Sequence, residues 1–119
     1  MQRALTDAGH RVYEASTAKE ALALLYLINR PVRLTIVDLR LPDRPGIELA
    51  TDIVDEGLSR SILLTSGDDS LIQEAEIERA AGRWAYLAKP FTPRRLVWVV
   101  QAILEAPTSY DSSQADRRT

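Results

Sequence analysis

Two stretches of this sequence show no alternation of apolar and polar residues, and they restrict the fold more than any other feature. They are RLTIVDL (Arg33–Leu39) and SILLTSG (Ser61–Gly67), with apolar centres between polar or turn-forming flanks. A strand exposed on one face alternates, whereas a strand covered on both faces does not. Strands covered on both faces are typical of parallel sheets with helices on either side. The stretches therefore predict the interior of a parallel sheet.

Helix and strand signals alternate along the rest of the chain. Two more strands are predicted, over His10–Ala15 and Trp84–Ala88. Helices are predicted over residues 2–8, from Ser16 or Thr17 to about Asn29, over Gly46–Glu56, over Asp68–Ala81, and from Thr92-Pro93 to Ala106. Because the helices between strands are long enough to be crossovers, the fold class is α/β with a doubly wound parallel sheet.

The size and composition of the chain limit its organisation and its partners. With 119 residues it forms one domain, predicted over residues 1–106, and the polar, turn-rich residues 107–119 are predicted to be a disordered tail. The net charge is −2, the basic residues are dispersed, and the sequence has no helix-turn-helix signal. These features favour neither direct nucleic-acid binding nor membrane binding. The chain has no cysteine, no signal-peptide pattern and no apolar run of membrane-spanning length, so a cytoplasmic protein is expected.

Three predicted strands end in a polar residue that can act chemically. Asp38, Ser66 and Lys89 each stand at the carboxyl end of a strand. Ligands of open parallel sheets bind at that edge, so these side chains are expected to lie close together. A carboxylate can accept a phosphoryl group, while a hydroxyl and an ammonium can bind phosphoryl oxygens. The pattern indicates a phospho-acceptor site.

The sequences around these three residues resemble one protein family. VDLRLPDRPG has an acceptor-type Asp38 with Pro42 four residues later and Gly46 eight residues later. ILLTSG places Ser66 at a strand end with a small residue, Gly67, directly after it. Together with YLAKPF, these motifs resemble the receiver domain of two-component response regulators, from the chain start to about Ala106.

The resemblance implies a flavodoxin-like fold that takes phosphate from a sensor histidine kinase or a phosphotransfer protein. It implies that Asp38 is the phospho-acceptor, that Ser66 and Lys89 bind the phosphoryl group, and that Tyr86 is a switch aromatic. The Lys89–Pro90 peptide bond is then expected to be cis. A downstream protein partner is expected to bind around Tyr86 and Arg94-Arg95. The chain is predicted to be a signalling domain and not an enzyme.

One part of the family pattern has no counterpart in this sequence. Receivers begin with a hydrophobic strand that ends in an acidic cluster holding Mg²⁺, and this chain begins inside the first helix. The resemblance implies Mg²⁺ as the cofactor, but of the family's metal ligands only Asp38 and the backbone carbonyl of Arg40 are present. Asp68 and Asp69 are alternative ligands at positions that the family does not use for metal. Three explanations are open: a misplaced start or a fragment, a strand donated by a partner, or direct pairing of the strands around Val12 and Ile36.

Other functions and roles are weighed against this interpretation. The main alternative is a pseudo-receiver, an interaction module that is never phosphorylated. A haloacid-dehalogenase-like phosphatase also uses an aspartate at a strand end, but it requires a second carboxylate two residues later, where this chain has Arg40. Each proposed site residue also has a purely structural alternative. Asp38 can be a plain turn residue, Ser66 can be a helix cap, and Tyr86 can be a packing residue. Trp84 and Trp98 are interpreted as packing groups.

Overall fold

The computed structural model describes residues 2–67 and 84–106 as alternating helices and strands. In this part of the chain the helices are α1 (Gln2–Asp7), α2 (Ala18–Ile28), α3 (Gly46–Asp55) and α4 (Pro93–Glu105). The strands are β1 (Thr35–Asp38), β2 (Ile62–Ser66) and β3 (Ala85–Ala88). The predicted helix over Asp68–Ala81, the acidic pair inside it and the predicted tail lie outside the described residues.

The three strands form one parallel sheet in the order β1-β2-β3. Asp38 at the end of β1 is in register with Thr65, and Ser66 at the end of β2 is in register with Ala88. The carboxyl ends of all three strands therefore lie at one edge of the sheet. The parallel arrangement predicted from the two non-alternating stretches is confirmed.

Helices cover the sheet on both faces, and each face has its own cluster of buried apolar residues. The cluster against α2 and α3 includes Leu25, Val37, Leu49, Ile53, Ile62 and Leu64. The cluster against α1 and α4 includes Leu5, Leu63, Leu87, Leu96 and Val100. All five residues of β2 are buried, because this strand lies between two strands and between two helical layers. Burial on both faces explains why its sequence does not alternate.

Side-chain caps and left-handed residues set the helix ends. The Thr17 hydroxyl accepts the N–H of Glu20 at 3.0 Å, and the Glu20 carboxylate accepts the N–H of Ser16 at 2.7 Å. α4 begins in the same way, since Thr92 accepts the N–H of Arg95 at 3.0 Å. After the last residue of α2, Asn29 adopts the left-handed conformation, with φ 61°. The Thr17–Glu20 capping box is the signal from which the start of α2 was predicted, and it is confirmed.

The strand predicted over His10–Ala15 is wrong. These residues form an irregular connection between α1 and α2, and in the described chain β1 is paired with β2 only. Direct pairing of strands around Val12 and Ile36 is therefore also wrong, although both side chains pack against the α1–α4 cluster. A β-forming sequence gives a strand only where a neighbouring backbone completes its hydrogen bonds.

The two tryptophans have different environments. Trp84 is half-buried and packs against the α2–α3 cluster, as expected of a packing group. Trp98 is 62% exposed, so its interpretation as a packing group is wrong. Its ring faces solvent from α4, with the Arg95 guanidinium 5.4 Å from its centroid. Across the described helices, none is long and apolar enough to cross a membrane.

Candidate functional site

Asp38 and Lys89 meet at the carboxyl edge of the sheet, although they are 51 positions apart in the sequence. β1 ends at Asp38, Lys89 directly follows the last residue of β3, and the Lys89 Nζ lies 2.6 Å from the Asp38 Oδ2. About a third of each side chain is exposed. The pair therefore forms a charge-assisted contact that is open to a reactant from solvent.

The second carboxylate oxygen of Asp38 is held by the backbone. Its Oδ1 accepts the N–H of Arg40 at 3.1 Å, the hydrogen bond expected of an aspartate at the start of a turn. Both oxygens thus have a donor on the protein side, one from the chain and one from Lys89. The carboxylate is oriented before any ligand arrives, which favours its use as a nucleophile.

Ser66 and Gly67 lie next to Lys89 at the end of β2. The Ser66 carbonyl accepts the N–H of Lys89 at 2.8 Å, and Ser66 itself is only 2% exposed. A Cβ added to Gly67 would lie 3.5 Å from the Lys89 Cδ, an ordinary van der Waals distance, so Gly67 lies directly beside the lysine stem. The Lys89–Pro90 peptide bond is cis, as the resemblance implies. Thr65, the neighbouring hydroxyl, is also buried.

The loop after β1 requires glycine at its far end. A Cβ on Gly46 would lie 2.1 Å from the backbone oxygen of Asp38, closer than any two such atoms can approach. The N–H of Gly46 donates to the Leu39 carbonyl at 2.9 Å, and Arg40 and Pro45 form an isolated antiparallel bridge. The loop therefore folds back on the end of β1, which explains the spacing of eight residues between Asp38 and the glycine.

Two residues that hold this loop were missed in the sequence. The Asp43 carboxylate accepts the N–H groups of Ala18 and Lys19 at 2.9 and 3.0 Å, which fixes the loop to the start of α2. These hydrogen bonds, the one from Ala18 first, hold the pKa of Asp43 below its usual value. Arg44 pairs with Asp52 at 2.8 Å, and that hydrogen bond raises the pKa of Arg44. No local signal reveals the Asp43 contacts, because the partners lie 25 and 24 positions away.

Tyr86 lies in β3, in register with Leu64, and packs half-buried against the α2–α3 cluster. Its packing in this cluster is what the structure shows, and its role as a switch aromatic stays a prediction. Arg94 and Arg95 are exposed in the first turn of α4, beyond the end of β3. Within the predicted partner surface, the two arginines are therefore accessible to a partner, whereas Tyr86 is half-buried.

The described residues do not by themselves fit a divalent metal site. Among residues 2–67 and 84–106, no three histidine, cysteine, aspartate or glutamate side chains are grouped to hold a metal ion. Asp38 would supply one carboxylate and Arg40 one carbonyl, but the Lys89 ammonium lies against the carboxylate where a cation would be repelled.

Sequence comparison places the chain among signalling proteins. The family described as response regulator receiver domain matches residues 1–101. The phosphate regulon transcriptional regulatory protein PhoB of Pseudomonas aeruginosa is 34% identical over 114 residues, which are 92% of this chain and 47% of that protein. The transcriptional regulatory protein PhoP of Escherichia coli is 34% identical over 101 residues, 84% of this chain and 44% of that protein. The chain thus spans less than half the length of these relatives.

Solved structures show the same fold. A CheY-like response regulator receiver domain from Methanospirillum hungatei superposes with a TM-score of 0.75 at 30% identity, covering 87% of this chain and 81% of that one. A putative response regulator from Chloroflexus aurantiacus gives a TM-score of 0.72 at 33% identity, covering 88% and 85%. The chain belongs to the response regulator receiver domain family of two-component signalling and has its flavodoxin-like fold.

Proposed function

We propose that this protein accepts a phosphoryl group on Asp38 from a sensor histidine kinase or phosphotransfer protein and changes its protein contacts in response. The observation that supports this most is the contact between Asp38 and Lys89 at the open edge of the sheet. An oriented, accessible carboxylate with a cation beside it is what an aspartyl-phosphate site requires. The family supports the same function.

The transfer step follows from the positions of these groups. An Asp38 carboxylate oxygen attacks the phosphorus of a phosphohistidine and the new O–P bond forms. The P–N bond breaks and its electron pair goes to the ring nitrogen, and the imidazole leaves neutral because its other ring nitrogen carries a proton. Lys89 then offsets negative charge on the phosphoryl oxygens instead of on the carboxylate. The backbone N–H of Lys89 donates a hydrogen bond to the Ser66 carbonyl, so a movement of Lys89 displaces the end of β2.

The response is proposed to reach the surface through β3. The phosphoryl group would draw the Ser66 hydroxyl and the Lys89 ammonium toward it, which biases Tyr86 between two packings. A downstream protein would then read the surface formed by Tyr86, Arg94 and Arg95. We propose a cytoplasmic receiver domain over residues 1–106, with residues 107–119 as a polar segment after it. It acts through protein contact, without direct DNA binding and without enzyme activity of its own.

A second candidate function is a pseudo-receiver that binds a partner without phosphorylation. The observation in its favour is that, within the described residues, Asp38 belongs to no group of acidic side chains that could hold a metal ion, and Lys89 is already paired with it. An aspartyl phosphate would concentrate additional negative charge there. Mg²⁺, which the family typically binds, would have to find its other ligands outside the described residues or in water.

Intact-mass measurement after incubation with acetyl phosphate tests the proposal. The wild-type chain is expected to gain the mass of one phosphoryl group, and Asp38→Asn is expected to gain none. Asp55→Asn removes an exposed carboxylate from α3 and serves as the matched control, with the wild-type yield expected. Lys89→Met is expected to lower the yield by up to about tenfold, because a charge-assisted contact is lost.

The same samples with Mg²⁺ or with EDTA separate the two candidate functions. A folded wild-type chain that gains no phosphoryl group under either condition contradicts the phospho-acceptor function and favours the pseudo-receiver. An adduct that persists in Asp38→Asn places the reaction elsewhere. Loss of the adduct in EDTA shows that a metal ion takes part, with ligands beyond those the described residues supply.

A further inference from the structure

α2 has an apolar surface on the side that faces away from the core. Eight consecutive apolar residues, Ala21–Ile28, occupy most of this helix of eleven residues. One side packs against the sheet through Ala18 and Leu25, which are buried. A surface helix normally carries polar residues on the opposite side. Here that side presents Ala23, which is exposed, and Leu27, which is 80% exposed.

Leu27 differs from the other exposed large apolar side chains of the described residues. Tyr13, Tyr26 and Trp98 are 50 to 62% exposed, so Leu27 has the largest exposed fraction of this group. Two of those side chains also have polar partners on the protein: the Tyr26 hydroxyl donates to Glu56, and Trp98 lies under the Arg95 guanidinium. A leucine has no polar group with which to interact with water, so covering its side chain with an apolar partner is favourable.

We propose that the outer face of α2, formed by Glu20, Ala23 and Leu27 with Arg30 beyond the helix end, docks against the same face of a second copy of this chain. Ala23 and Leu27 are one turn apart and equally far from position 25. An antiparallel pair of helices with its two-fold axis at that position places each Leu27 over Ala23 of the partner subunit. A large side chain then enters the space above a small one, in both directions.

The charges at the two ends of this face fit the same arrangement. Glu20 stands in the first turn of α2, and Arg30 is exposed two residues past its last residue. They too are equally far from position 25, so the two-fold axis brings the acidic start of one helix near the basic end of the other. The antiparallel arrangement also sets opposite ends of the helix dipoles side by side. A parallel pair would instead bring like charges together.

The size of the face predicts a weak dimer. A helix of eleven residues is about 16 Å long, and one helix pair buries less than the roughly 1,600 Å² of a standard interface. Dimers are therefore expected to form only as the concentration rises. This contact lies on the α2 side of the sheet and does not depend on phosphorylation of Asp38.

Sedimentation velocity over a wide concentration range, with the full chain, is the test. The wild type is expected to shift from monomer to dimer as concentration rises, and Leu27→Glu is expected to weaken the dimer by at least about tenfold, as a buried leucine contact on each side is lost. Trp98→Glu removes a large exposed apolar side chain from α4 and is the matched control, with dimerisation expected to equal that of the wild type. Circular dichroism checks that each variant is folded.

A mixing experiment tests the antiparallel geometry. Ala23→Lys alone and Leu27→Glu alone are each expected to be monomeric, but a mixture of the two is expected to form a heterodimer. In that pair the new lysine faces the new glutamate, while the other contact keeps its native alanine and leucine. A wild type that stays monomeric at the highest concentration overturns the proposal. So does a dimer that Leu27→Glu leaves intact, or one that Trp98→Glu weakens equally.

Discussion

Two irregular segments of this protein differ in how firmly the rest of the chain holds them, and neither segment's sequence suggests the difference. The loop after β1, Leu39–Pro45, has the proline and charged residues of an ordinary surface turn, yet it is fixed at several points. The segment between α1 and α2, Gly9–Thr17, contains β-forming residues, yet it adopts no regular structure. The segment with the sequence of an ordinary turn is held by contacts, and the segment predicted to be a strand is not paired.

The difference lies in the contacts that each segment finds elsewhere in the chain. The loop is held by the Arg40–Pro45 bridge, by Asp43 on the start of α2 and by Arg44 on α3. The segment at residues 9–17 has Val12 packed against the α1–α4 cluster but no backbone ladder. In both segments, the conformation depends more on contacts with distant residues than on the conformational preferences of the local sequence, as is general for strands. Three substitutions test this contrast.

The largest effect is expected from Gly46→Ala, which attacks the loop where it touches β1. The new Cβ would lie 2.1 Å from the Asp38 backbone oxygen, so either the loop or the end of β1 must move. We expect the free energy of unfolding to fall by about 3 kcal/mol, the upper end for overpacking. Urea denaturation measures it.

Gly57→Ala is the matched control for this substitution. Gly57 has a φ of 69° with nothing within 4 Å of an added Cβ, so it isolates the backbone cost, about 1 kcal/mol. Equal losses for the two variants would show that the loop adjusts freely and is not held as described.

A smaller effect, with a distinct pH dependence, is expected from Asp43→Asn. The pKa of Asp43 is lowered in the folded protein, so its ionised form stabilises the fold above the usual carboxyl value of 3.8. That contribution is lost as the pH falls through the lowered pKa. The wild type is therefore expected to be more stable than Asp43→Asn near neutral pH. The difference in stability between the two proteins is expected to shrink below about pH 4.

Thermal unfolding of both proteins between pH 3 and pH 7 measures the difference. Asp55→Asn, which removes an exposed carboxylate outside the loop, serves as the control. A constant difference at all these pH values would mean that the ionised carboxylate does not hold α2.

The smallest effect is expected from Val12→Ala in the segment at residues 9–17. Val12 is half-buried against the α1–α4 cluster, so the loss of two methyl groups is expected to cost at most about 1 kcal/mol. Tyr13→Ala, which removes a side chain that is 50% exposed, is expected to cost less. A loss at Val12 as large as that of Gly46→Ala, measured by urea denaturation, would show that this segment is held as firmly as the loop.

Local patterns identified much of the fold and part of the site. The unbroken apolar run of β2 predicted a strand covered on both faces, and Thr92-Pro93 predicted the start of α4, because burial and capping leave a direct mark on the residues concerned. The same patterns placed Asp38 and Lys89 at strand ends, and a parallel sheet brings such ends to one edge. Their contact at 2.6 Å follows from that topology.

Contacts between distant residues were decided only by the tertiary structure. The sequence does not show that Asp43 reaches the start of α2 or that His10–Ala15 stays unpaired. Residues 9–17 have the composition of a strand, but a strand requires a neighbour, and the neighbour is a property of the whole fold. The sequence by itself determined which residues can form a sheet and an acceptor edge. The tertiary structure decided which backbone lies beside which, because hydrogen-bond partners are supplied by distant segments.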